Sequence, residues 1–119
     1  MKMYCIFSKE ALKEMNGIRG KMTSQAGHAF LHAYWDSEKR FPEYAEAYKN
    51  SDHAFKITCA VDTQIELEEL YSKYMDVCGI TKVVDSGFTV FGGPTQTCVG
   101  IGPIPMELAE GLKHLKLLT

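Results

Sequence analysis

Two hydrophobic periods alternate along this chain, and the switches between them mark its elements. Met3 to Phe7 is a short apolar run with aromatic and β-branched members, which predicts a buried strand. From Lys21 to about Trp35, Met22, Ala26, Ala29, Phe30 and Ala33 recur at helical spacing. The small alanines in that row would let the helix lie close on a sheet. Lys21, Gln25, His28 and His32 form a second stripe on the same helix, offset toward its polar side. Ahead of it, Ser8 is placed to cap a brief helix over Lys9 to Met15 that Asn16-Gly17 would end; an irregular loop fits the same residues. Pro42 suits the first turn of a further helix to Tyr48, with Phe41, Ala45 and Tyr48 inward.

Strand periodicity returns at Phe55, Ile57, Cys59 and Val61, which alternate with Lys56, Thr58 and Ala60. Thr63 and Glu66 make a capping box. The helix that follows would bury Ile65, Leu67, Leu70, Tyr71, Tyr74, Met75 and Cys78 and close at Gly79. Ile80 to Val84 and Cys98 to Ile101 are the remaining strands, and Pro105 opens a short terminal helix through about Leu112. The order β-α-α-β-α-β-β-α predicts crossovers with parallel pairing, and a last strand running antiparallel across a turn. The expected architecture is α/β, a three-layer α/β/α sandwich around one mixed four-stranded sheet. At 119 residues, a single domain spanning 1–119 is the simplest organisation.

Composition narrows the functional classes. An apolar fraction of 45% is enough for a core without staples. A net charge of −2 argues against gripping nucleic acid through bulk positive charge, although local phosphate contacts remain compatible with it. Cys5, Cys59, Cys78 and Cys98 lack close pairing, so neither a structural zinc site nor another metal centre is expected. The N-terminus lacks the apolar segment of a secretory signal, and no stretch is long enough to cross a bilayer. A cytoplasmic protein with no membrane association is the expectation.

The candidate chemistry lies in two distant segments. Lys21 follows Gly20 at the start of the long helix, where unpaired amides favour an anion. Asp85 follows Val83-Val84 and precedes Ser86-Gly87; it either caps that turn or serves a site. A lysine and a carboxylate at strand ends can share one crevice, the usual place for a site in an open α/β sheet. Thr89 and Thr97 have hydroxyls that orient a water or a substrate oxygen, and Thr95 and Thr97 equally fit as outward strand residues. His28, three residues after Gln25, fits either a structural hydrogen bond or proton transfer. His32, His53 and His114 lack a companion at informative spacing.

These segments resemble the peptidyl-tRNA hydrolase 2 family, the archaeal and eukaryotic type. The resemblance covers nearly the whole chain after residue 19. It is carried by Gly20-Lys21-Met22-Thr23-Ser24-Gln25-Ala26-Gly27-His28-Ala29, by Asp85-Ser86-Gly87-Phe88-Thr89, by Thr95-Gln96-Thr97, and by Ile101-Gly102-Pro103-Ile104-Pro105 with the terminal His114 to Leu118. It implies hydrolysis of the ester joining a peptide or N-acylated amino acid to the 3′ end of tRNA, without metal or organic cofactor, on a four-stranded α/β/α fold that commonly forms a homodimer. It places the family's lysine, aspartate and two threonines on Lys21, Asp85, Thr89 and Thr97, with Gln25 and His28 in supporting, substrate-side roles.

Three departures stand out. Phe88 and Val90 occupy positions where the family usually carries Arg and Gln, and a ring in place of a guanidinium removes a phosphate-binding fork. Ser8-Lys9-Glu10-Ala11-Leu12 replaces the usual Arg-Thr-Asp-Leu pattern in a longer loop, and Gly93-Pro94 inverts the common Pro-Gly order. These departures keep two other readings open: a catalytically weak RNA- or protein-binding module on the same fold, and an esterase for a different acyl substrate.

Overall fold

The computed structural model describes residues 1–85 and 95–119. The expectations attached to Thr89, and to the departures at Phe88, Val90 and Gly93-Pro94, lie outside the described residues. The elements are β1 (Lys2–Ser8), α1 (Lys9–Met15), α2 (Arg19–Arg40), α3 (Pro42–Lys49), β2 (Lys56–Val61), α4 (Gln64–Tyr74), β3 (Ile80–Asp85), β4 (Thr95–Ile104) and β5 (Lys116–Leu117). The fold is α/β with a mixed sheet, as its alternating periods predict. Of the two readings for residues 9–15, the helix holds: the Ser8 side chain accepts from the Ala11 amide, and Asn16 ends the helix in the left-handed region.

The strands lie in the order β3-β4-β1-β2-β5. β1 pairs with β2 in parallel, whereas β4 runs antiparallel to both β1 and β3. The sheet has five strands where four were expected, because Lys116–Leu117 adds a short antiparallel edge to β2. The central position of β1 explains its continuous apolar run, since both of its faces are covered. Cys5 and Phe7 pack in one cluster with Ala29, Met22 and Ala26 of α2, whereas Tyr4 and Ile6 pack in another with Leu67 and Tyr74 of α4.

Two details of the helical pattern come out differently. Ile65 was expected inward but is 71% exposed. Residues two apart on a helix point about 200° from each other, so Ile65 and the buried Leu67 cannot share a face. Met75 is likewise exposed, because regular helix ends at Tyr74 and the period no longer governs it. Past Pro105 the chain forms two short 3-10 turns, Met106–Leu108 and Glu110–Leu112, in place of the expected helix. Gly111 packs there so tightly against Lys73 and Tyr74 that a Cβ would fall 2.5 Å from each.

Close packing of α2 on the sheet sets the position of the site. The buried row of α2 is Gln25, Ala29, Ala33 and Ser37, one residue per turn. Gly100 of β4 lies beneath Ala29, where an added Cβ would sit 2.2 Å from the Ala29 carbonyl oxygen. Gly79 lies beneath Ala33 and Ser37 in the same way. The far end of α2 is clamped by Asp36, which accepts from the Ile80 amide at 3.0 Å and pairs with Arg40 at 2.6 Å. Arg40 in turn donates to the Met75 and Cys78 carbonyls. Burial alone would raise the Asp36 carboxyl, but hydrogen bonds from Arg40 and Ile80 and the guanidinium charge outweigh it and hold it below its ordinary range.

Candidate active site

The buried row of α2 changes character at its N-terminal end: after three small residues it reaches Gln25, a buried amide that must find partners. It finds them on both ends. Gln25 Nε2 donates to Asp85 Oδ2 at 3.5 Å, and Thr97 Oγ1 donates to Gln25 Oε1 at 3.0 Å. This arrangement fixes the amide, since a flipped Gln25 would set its oxygen against the carboxylate. The Val83 carbonyl is a second acceptor for the Thr97 hydroxyl at 3.3 Å, and the Cys98 thiol donates to the Gln25 carbonyl at 3.7 Å.

Thr97 reaches Gln25 because of an irregularity in β4. Val83 pairs with Cys98 and Val84 with Gln96, so one extra residue of β4, Thr97, is inserted opposite β3. Such a bulge breaks the strict alternation of faces. Thr97 and Cys98, consecutive in sequence, consequently both address α2. Thr97 is fully buried, which excludes the alternative of an outward strand residue.

Lys21 lies one turn before Gln25, and its Nζ forms an ion pair with Asp85 Oδ2. The two side chains are unequally exposed, 19% for Lys21 and 3% for Asp85. The ammonium therefore faces the cleft and the carboxylate lies behind it. α2 starts without a side-chain cap and with no acidic residue in its first turn, which carries Arg19 and Lys21. Two cations at the positive end of a helix are unfavourable, and Asp85 supplies the missing negative charge from the sheet.

Beside this pair is an open cleft of about 410 Å³ between α2 and β3. Its walls include Lys21, Gln25, His28 and His32 from the helix and Thr81, Val83 and Asp85 from the strand. Of the sequence-predicted site residues, Lys21, Asp85, Gln25 and Thr97 are brought together, and His28 lines the same cleft. His32, for which no companion was evident, lines it too: its ring centroid is 5.3 Å from that of His28, four residues earlier. The i, i+4 spacing of the two histidines was the available signal. Cys98 and the Val83 carbonyl had no sequence signal, because their roles follow from the bulge.

Among the described residues, no three His, Cys, Asp or Glu side chains gather closely enough to hold a metal ion. Burial pushes the Cys78 thiol up to about 12 and raises Cys59, while Cys5 is raised by its hydrogen bond with Cys98 and then by burial. These three are poor nucleophiles.

The family model described as peptidyl-tRNA hydrolase PTH2 matches residues 1–118. The chain is 32% identical over 104 residues to the peptidyl-tRNA hydrolase of Methanocaldococcus jannaschii, covering 84% of this chain and 88% of that relative. It is 30% identical over 109 residues to the peptidyl-tRNA hydrolase of Thermococcus onnurineus, covering 89% and 91%. Against the human mitochondrial peptidyl-tRNA hydrolase 2 the identity is 29%, over 83% of this chain and 56% of the relative. With nearly every residue matched by one model, this chain belongs to the PTH2 family of peptidyl-tRNA hydrolases.

Proposed function

We propose that this chain hydrolyses the ester between a peptide or N-acylated amino acid and the 3′ end of tRNA, using Lys21 and Asp85. The observation that carries the reading is the buried Asp85 paired with the cleft-facing Lys21. Asp85 orients and partly deprotonates a water, whose oxygen bonds to the ester carbonyl carbon. Lys21 offsets the negative charge that develops on the carbonyl oxygen, where a preorganised donor is most effective. The carbon–oxygen bond to the ribose then breaks, and the ribose oxygen takes up the proton removed from the water. An ester is activated relative to an amide, so positioning and charge suffice without a covalent intermediate.

Thr97 acts in this scheme through Gln25, since its hydroxyl is buried and directed at the amide. Gln25 in turn holds the carboxylate. Thr89 keeps the role implied by the resemblance, assisting Asp85 with the water. The three-layer α/β/α arrangement, a homodimer and a cytoplasmic setting without membrane association belong to the same reading. No helix among the described residues is long and apolar enough to cross a membrane.

The test is hydrolysis of purified peptidyl-tRNA, compared with free aminoacyl-tRNA, by wild type, Lys21→Ala and Asp85→Ala. Each substitution is expected to lower kcat by about a hundredfold or more, with circular dichroism reporting a retained fold. Rates equal to wild type in both variants would defeat the assignment.

A further inference from the structure

We propose that His28, His32 and Trp35 form a stacking platform for the unpaired nucleotides that precede the scissile ester, delivering the 3′ strand of the substrate along α2 into the cleft. The proposal rests on the reading above; it makes the supporting role of His28 specific and extends it to His32 and Trp35, which had no assigned role. His28 and His32 line the cleft, and the ladder continues outward, with the His32 and Trp35 ring centroids 5.1 Å apart. All three side chains are exposed, Trp35 at 47%. A lone exposed aromatic is unremarkable on a protein surface. Three in contact, in a row that starts at the candidate catalytic pair, make a surface with a direction.

The dimensions fit a short single strand. His28 to Trp35 spans seven residues, about 10 Å of helix axis at about 1.5 Å per residue. That is the length of roughly three stacked nucleotides at about 3.4 Å each. The ring planes are tilted by 47° and 59°, which offers stepped faces to successive bases. Stacking also suits the electrostatics, since a chain of net charge −2 cannot hold a polyanion by bulk attraction. Ring–base contacts supply affinity that does not depend on charge. Lys39, exposed one turn beyond Trp35, is placed for an individual phosphate.

Trp35 is the only tryptophan in the chain, so its fluorescence reports the platform directly. A six-nucleotide single-stranded RNA with a free 3′ hydroxyl is expected to quench it saturably in wild type and in Lys21→Ala. His32→Ala is expected to weaken that binding. In a second arm, kcat/KM is measured on N-acyl-aminoacyl-tRNA and on the same acyl group esterified to adenosine alone. Trp35→Ala should lower the ratio of the first to the second by about fivefold or more, and Trp35→Phe should restore most of it. If no variant hydrolyses either ester, the activity reading fails while the fluorescence arm still decides the platform. Absence of quenching at saturating RNA, or a substrate ratio unchanged by Trp35→Ala, would overturn it. So would quenching that follows protein concentration alone, with self-association in sedimentation.

Discussion

Replacing Thr97 with Val separates two roles for its hydroxyl: acting on the water, or holding Gln25. Val keeps the branched shape but leaves the buried Gln25 oxygen without its 3.0 Å donor, and removes the contact to the Val83 carbonyl. One buried polar group left unsatisfied costs about 1–3 kcal/mol. For 119 residues, the unfolding entropy of about 2.1 cal/mol/K per residue sums to roughly 250 cal/mol/K, so the melting temperature should fall by about 4–12 °C. Because Thr97 is fully buried, its hydroxyl does not meet a water in the cleft. Turnover should therefore fall by about tenfold through a loosened carboxylate, well short of the loss in Asp85→Ala. Thr97→Ser, which keeps the hydroxyl, should recover most of the rate. The assay is single-turnover hydrolysis of peptidyl-tRNA alongside calorimetric melting. A Thr97→Val protein as inactive as Asp85→Ala but as stable as wild type would mean that the hydroxyl touches the reacting atoms. Full activity at full stability would mean that the Gln25 link carries nothing.

Gly100→Ala forces a Cβ to 2.2 Å from the Ala29 carbonyl oxygen and should destabilise the fold by about 1–3 kcal/mol or more, whereas Gly27→Ala, with nothing within 4 Å, should stabilise it by about 0.4–1 kcal/mol; urea unfolding checks both, and equal effects would refute the close-packing argument. Asp36→Asn should cost about 1–2 kcal/mol at neutral pH through weakened charged hydrogen bonds. The Asp36 carboxyl is held below its ordinary range, so its contribution is full above that range and fades as pH falls through the folded value. The stability gap between wild type and Asp36→Asn should narrow in acid, and a gap independent of pH in urea titrations would count against the clamp.

The parts of this molecule legible in its sequence are those governed by one period at a time. The row from Met22 to Ala33 marked the helix and its inward face, and the stripe from Lys21 to His28 marked the side that lines the cleft. From its residues alone Asp85 stayed open between two readings, and the family resemblance tipped the balance, because a carboxylate before Ser-Gly looks the same whether it caps a turn or serves a site. The Gln25–Thr97 link was not legible at all. It depends on β4 entering the sheet antiparallel between β3 and β1, and on a bulge that turns Thr97 toward α2. Residues 116–117 were not read as a strand because two residues carry no period.

Taken separately, Lys21 and Asp85 each violate a local rule. A cation in the first turn opposes the helix dipole, and a carboxylate 3% exposed has lost most of its hydration. Each is made tolerable by the other, yet a buried ion pair is at best a weak source of stability compared with apolar side chains of the same size. Stability alone therefore does not account for the pair, and local conflicts of this kind gather at functional sites. On the proposed mechanism the unequal exposure matters further. Lys21 covers Asp85, so the carboxylate meets a water only as the ammonium turns toward the ester oxygen. The two roles are then one coupled event, and groups that act as a unit do not lose activity additively. Lys21→Ala/Asp85→Ala should accordingly be no slower than the worse single variant. It should also be more stable than Lys21→Ala, in which the buried carboxylate keeps its charge but loses the ammonium beside it. Losses that multiply across the two sites would mean that the lysine and the aspartate act on the substrate independently.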